Sequence, residues 1–186
     1  MNKTIHVIFD NSGSMAEYAK MHVQHNAART LITMKQLYAD LFSNIEFAFF
    51  TVNDNLTSIT RNDNGMFKFS KPEGNCDISL ISDLIMQIRN RSQDQKISLI
   101  FFSDGIFNRS ERKKFTEKFK EAKWLYMQCV GIGIDKDSIA LKELSSSNKI
   151  ETVDNIYAIV EDAISFFVSS NKKPLSLENI KKEEML

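Results

Sequence analysis

Residues 96–102 read KISLIFF, a run with almost nothing polar to offer to water. Such a segment can be a strand only in the middle of a sheet that is covered on both faces. Two further runs have the same character: 3–9, with Ile5, Val7, Ile8 and Phe9, and 44–52, NIEFAFFTV. Segments 124–134 and 149–153 supply two more strands. The stretches between them carry apolar residues at spacings of three and four, as helices packed on a sheet do. In 16–40 these are Ala19, Val23, Ala27, Leu31, Met34, Leu37 and Tyr38, and in 77–91 they are Ile78, Ile81, Leu84, Ile85 and Ile88. A charged helix with a thin inward face (Phe115, Phe119, Ala122) is expected at 110–123, with further helices at 137–146 and 155–168. Segments 56–60 and 66–69 flank an Asn-Gly turn signal at 64–65 and read as an edge hairpin. Strands alternating with helices in this order imply an α/β fold: a Rossmann-like three-layer sandwich, a mainly parallel central sheet with an antiparallel edge hairpin and helices on both faces.

Where the first strand ends, Asp10-Asn11-Ser12-Gly13-Ser14 gathers three small oxygen ligands within five residues. Side chains there project from the carboxyl edge of the sheet, where open α/β sheets bind ligands. A carboxylate and two hydroxyls suit a hard cation such as Mg²⁺, which takes near-octahedral oxygen at roughly 2.0–2.1 Å and keeps several waters. The same residues also favour a turn and helix cap without any metal. A helix beginning near Ala16 would add backbone N–H groups and partial positive charge, favouring an anionic ligand.

The pattern Asp-x-Ser-x-Ser after a first strand resembles the metal-ion-dependent adhesion site (MIDAS) of von Willebrand factor A (vWA) domains. In that family a threonine from a second loop and an aspartate before glycine at the end of a central strand complete the site. Here Gly74-Asn75-Cys76-Asp77 stands in the first place and Ser103-Asp104-Gly105 in the second, so Cys76 replaces the threonine. The resemblance spans residues 3–168 and implies a metal set of Asp10, Ser12, Ser14, Cys76 and Asp104. Asn11, Gly13, Met15, Asp77 and Gly105 are expected to flank it as partner-binding residues. It implies Mg²⁺ or Mn²⁺ as cofactor, weakly held because a neutral thiol is a poor ligand for a hard ion. It also implies a protein partner that offers a Glu or Asp to the metal, and recognition rather than catalysis. A stand-alone domain of this size looks like the bacterial TerY-type tellurite-resistance members, implying a role in a stress or defence complex.

Other classes fit less well. Phosphatases of the haloacid-dehalogenase type place a second aspartate two residues after the first, where this chain has Ser12, whose hydroxyl cannot act as general acid near neutral pH. A response-regulator receiver would need an acidic pair near Asp10, and serine hydrolysis a base beside Ser12 or Ser14. A Mg²⁺-dependent phosphohydrolase and a metal-free α/β scaffold stay as alternatives. His6, His22 and His25 lack zinc spacing, Gly131-Ile132-Gly133 lacks the rest of a dinucleotide fingerprint, and the basic residues of 109–123 read as a solvated face.

With 24 basic and 24 acidic residues, no net field draws the 186-residue chain to nucleic acid or to a membrane. No apolar run reaches the 18 or so residues a span requires. Two cysteines, Cys76 and Cys129, make a disulfide framework unlikely as an organising principle. A cytoplasmic location is the expectation; a secreted protein would need its native chain to begin upstream of Met1. Residues 1–170 are read as one vWA-like domain and 171–186, after Lys172-Lys173-Pro174, as a mobile or partner-docking tail.

Overall fold

The computed structural model describes residues 3–61, 67–91 and 95–168. The expectations for the tail and for the Asn-Gly turn lie outside the described residues. Strands β1 (Lys3–Asp10), β2 (Ile45–Val52), β3 (Leu56–Ser58), β4 (Ile97–Ser103), β5 (Leu125–Gly131) and β6 (Ile150–Glu151) form a six-stranded sheet in the order β3-β2-β1-β4-β5-β6. All neighbours are parallel except β2 and β3. Beyond β3, Arg61 and Phe67 form an isolated antiparallel bridge, a fragment of the expected edge hairpin. Helices α1 (Lys20–Leu37), α2 (Ile78–Arg91), α3 (Arg109–Phe119), α4 (Ser138–Leu144) and α5 (Ile156–Val168) connect the strands.

Every residue of β4 is buried, as KISLIFF requires, and β1 lies beside it. Successive side chains alternate between two cores. Ile5, Val7 and Phe9 of β1 join Ile100 and Phe102 of β4 in the core covered by α1 and α5. Ile8, Leu99 and Phe101 face the core closed by α2, α3 and α4. The two central strands therefore end side by side, bringing Asp10 next to Ser103 and Asp104.

Local structure departs from the sequence expectations in four places. The helix expected from residue 16 begins at Lys20, after a 3₁₀ turn at Gly13–Ala16. Tyr18 and Ala19 between them adopt left-handed φ values of 49° and 58°. As a result Ala19 is exposed, and the inward positions of the first two helical turns are the polar Lys20 and Gln24, both fully buried. Leu37, expected on the packed stripe, is 68% exposed. The face of α3 is not wholly solvated: Arg112 pairs with Glu143 at 2.9 Å and Asp137 at 3.7 Å, and Lys118 Nζ donates to Ser82 Oγ at 2.8 Å. Cys76 and Cys129 are both free and buried. No helix among the described residues is long and apolar enough to cross a membrane.

Candidate functional site at the carboxyl edge of the sheet

Asp10, the last residue of β1, has no exposed surface, and hydroxyls and a backbone N–H hold its carboxylate from both sides. Oδ1 accepts from Ser12 N at 2.9 Å and Ser12 Oγ at 2.6 Å, while Oδ2 accepts from Ser103 Oγ at 2.5 Å. Ser12 Oγ lies 3.2 Å from Ser14 Oγ, so the carboxylate and both serine hydroxyls of the Asp-x-Ser-x-Ser segment form one group. Burial pushes the Asp10 carboxyl above its ordinary pKa, against the bonds from Ser103 and Ser12, and the nearby Asp104 charge adds to the rise. Ser103 was given no role by the sequence. Its Oγ also accepts from Gly105 N at 3.0 Å, which ties the end of β4 to that of β1. Ser103→Ala removes a donor from a buried carboxylate, and urea unfolding is expected to show a loss of about 1–3 kcal/mol.

The second loop folds against the first. Gly13 N donates to the carbonyl of Gly74 and Glu73 N to that of Asn11, both at 3.0 Å. Gly74 has a φ of 70°, and a Cβ there would run into the Asp54 carboxylate, so the loop needs glycine at this point. Cys76 follows, 3% exposed and near the Asp10 carboxylate. Burial pushes that thiol well above its ordinary pKa, and the Asp10, Asp104 and Asp77 carboxylates push it further, so it is a neutral S–H.

Asp104 is fully buried on the loop after β4. Its Oδ1 accepts from Ile106 N at 3.2 Å and its Oδ2 from Lys20 Nζ at 2.9 Å. Lys20 Nζ also donates to Asp135 Oδ2 at 2.7 Å. Burial acts to lower the Lys20 ammonium, but the bonds to Asp135 and Asp104 outweigh it and hold the pKa up. The bond to Lys20 draws the Asp135 carboxyl below its usual range. One turn along α1, Gln24 Nε2 donates to the Asp10 carbonyl at 2.9 Å. Neither Lys20, Gln24 nor Asp135 was anticipated, although Lys20 and Gln24 stand at i and i+4 on an otherwise apolar stripe.

The expected flanking residues divide. Gly13 is exposed and Asp77 is half-buried, its Oδ1 capping Ser79 N at 2.8 Å. Met15 is fully buried among core side chains, Gly105 is buried, and Asn11 is turned inward with its Nδ2 on Ser70 Oγ at 2.8 Å. These three support the surface from beneath and do not present side chains to a partner.

The donor set suits a hard divalent ion in part. Asp10, Ser12 and Ser14 offer clustered oxygen, as Mg²⁺ or Mn²⁺ demands. Cys76 offers a protonated sulfur, and Asp104 already holds an ammonium. Among the described residues no three His, Cys, Asp or Glu side chains gather as a metal cluster, so hydroxyls would make up much of the coordination.

No family model and no curated protein matches the sequence. Solved structures do. PTMP1 from the mussel byssus, in a structure with a zinc-occupied MIDAS motif, is 18% identical with a TM-score of 0.58, over 88% of this chain and 45% of its own. A von Willebrand factor type A protein from Catenulispora acidiphila is 13% identical with a TM-score of 0.59, over 91% and 42%. The manganese-loaded TRAP protein of Plasmodium vivax is 12% identical with a TM-score of 0.61, over 88% and 73%. The chain thus spans under half the length of the first two. At such identities the likeness carries the fold, and the fold of this chain is vWA-like.

Proposed function

We infer that this chain is a non-enzymatic protein-interaction module, which takes an acidic group of a partner protein at the carboxyl edge of its sheet through a weakly held Mg²⁺ or Mn²⁺. The observation that carries this reading is the single group formed by Asp10, Ser12 and Ser14, all from the β1 loop. Asp10 would supply the charge and the serine hydroxyls the neutral oxygens, with Asp104 in reserve behind them. A bound divalent cation would supply uncompensated positive charge and an open position for a partner carboxylate. The surroundings fit a docking role. Tyr18 (70% exposed), Ile106 (53%), Ile134 (92%) and Ile139 (68%) all lie on loops or helix starts that follow β1, β4 and β5. Large apolar side chains exposed around a polar centre are typical of a protein-binding surface.

Turnover finds little support. Ser12 bonds both Asp10 and Ser14, and the rings of His6 and His25 lie beside Phe50 and Phe69, with centroids 6.1 and 4.3 Å apart. Among the described residues the hydrogen-bond partners of the Asp10 carboxylate are serine hydroxyls and a backbone N–H, none of them a general acid near neutral pH, and a generic phosphate ester incubated with the chain and Mg²⁺ is expected to stay intact. The further reading, a cytoplasmic role in a bacterial stress or defence complex of the tellurite-resistance type, rests on resemblance to TerY-type proteins. The genes beside this one test it.

Cys76→Thr replaces a thiol by a hard oxygen donor and is expected to tighten Mg²⁺ binding about tenfold by calorimetry. No gain would count against Cys76 standing in the threonine place. Asp10→Ala is expected to abolish the binding. A metal-free scaffold is the second reading, favoured by the protonated Cys76 and by the ammonium on Asp104. Partner recovery that ignores both chelator and Asp10→Ala would select it.

A further inference from the structure

The interaction reading gives Lys20 no role, yet several parts of the chain are arranged around it. Its side chain has no exposed surface and its ammonium lies between Asp104 and Asp135, at 2.9 and 2.7 Å. Three features disfavour this arrangement. Burial strips its water. It is the first residue of an 18-residue helix, whose N-terminus carries partial positive charge. The chain also reaches it through Tyr18 and Ala19 in left-handed conformations, which non-glycine residues resist. Space is kept for its stem as well: Gly133, at a φ of 87°, would bring a Cβ to 2.7 Å from Lys20 Cε. Gly133 therefore has a use that its sequence did not disclose, which is to leave room just past β5 for a lysine arriving from α1 and for its partner Asp135.

We propose that Lys20 is the resident counter-ion of Asp104 and competes with any divalent cation for its carboxylate, with Asp135 as the ammonium's second anchor. This rests on the metal reading of the same site. Without Lys20, Asp10 and Asp104 would present two adjacent buried negative charges, and the region would need an external cation to balance them. With Lys20 one of those two charges is balanced internally. Lys20 thereby sets the cation preference of the site: it weakens divalent binding and keeps the carboxyl edge folded when such ions are scarce. Asp135, 34% exposed in its side chain, is the outer anchor that lets the ammonium shift without entering solvent alone.

Mn²⁺ alone, titrated into the full chain and followed by electron paramagnetic resonance and thermal unfolding, tests this. Lys20→Met, which keeps the stem and removes the charge, is expected to bind Mn²⁺ about tenfold more tightly than the native chain or more. Lys20→Arg, which keeps the charge, is expected to show no gain. Should Lys20→Met fail to fold, millimolar Mn²⁺ is expected to restore its cooperative thermal transition, the ion replacing the lost ammonium. A folded Lys20→Met with affinity within about twofold of native, or an unfolded one that Mn²⁺ does not rescue, overturns the proposal. Adding Asp10→Ala separates the two readings. Equal binding by the native chain and Lys20→Met that disappears with Asp10 overturns the counter-ion role alone. Binding that persists without Asp10 puts the ion elsewhere and overturns both.

Discussion

Phe102→Ala is expected to lower the free energy of unfolding by about 3–5 kcal/mol, the usual range for deleting a fully buried aromatic ring. Phe102 has no exposed surface and lies in the central strand β4, its ring stacked on Phe9 of β1 at a centroid distance of 5.0 Å and an interplanar angle of 24°. Phe9 in turn meets Phe69 edge-on at 5.2 Å, so the cavity would open inside a cluster of aromatic rings that cannot collapse to fill it. Urea titration would show the midpoint falling at unchanged slope. Because Phe102 precedes Ser103 and Asp104, the lost packing should also loosen the hydroxyl that holds Asp10. Phe102→Leu, which leaves most of the volume in place, should cost about 1 kcal/mol.

Stability is expected to drain as the pH falls from about 6.5 towards 4, by about 3 kcal/mol from His6 alone. His6 lies in β1 with its Nδ1 buried and without a hydrogen-bond partner, and burial lowers its pKa to about 4 from the ordinary 6.5. The folded-state pKa thus lies below the unfolded one. Above 6.5 neither state takes up a proton at this residue and the full stability is present. Below it the unfolded chain gains a proton that the folded chain refuses, until the pH passes 4. The gap of roughly 2.5 pH units, at about 1.36 kcal/mol each, sets the size of the loss. His6→Leu should flatten most of this ramp in denaturant melts across that range. His25, whose pKa burial and the neighbouring His22 also lower, should account for part of the slope that remains.

The α/β order was legible because each central strand is a continuous apolar run and each helix shows a periodic stripe, patterns that depend on a residue's own neighbours. Asp10, Ser12 and Ser14 were legible for the same reason, since they lie within five residues of each other. The rest of the carboxyl edge was not. Lys20 meets Asp104 across 84 residues of sequence and Asp135 across 115, and Ser103 meets Asp10 across 93. Lys20 and Gln24 break the apolar period of α1, so the inward stripe was read through Ala19, which is exposed, and Val23, which packs at the core's margin, and the two polar positions went unread. Tyr18 and Ala19 carry no glycine or asparagine to announce a left-handed turn, so the late start of α1 was hidden too. Met15 illustrates the opposite error: proximity to the serines suggested a surface role, whereas an apolar side chain one residue past Ser14 turns into the core.

The sheet also determines how another polypeptide can be joined to it. Its outer strands are only three residues (β3) and two residues (β6) long, and β3 pairs with only Phe50, Thr51 and Val52 of the eight-residue β2. Border strands this short offer few backbone groups of their own to an extended segment from a second chain, one of the ways in which natural sheets blunt their edges. On the proposed interaction reading, selectivity would come from side chains mounted on the loops of the carboxyl edge, where substitutions can retarget the surface without disturbing the hydrogen-bonded frame beneath.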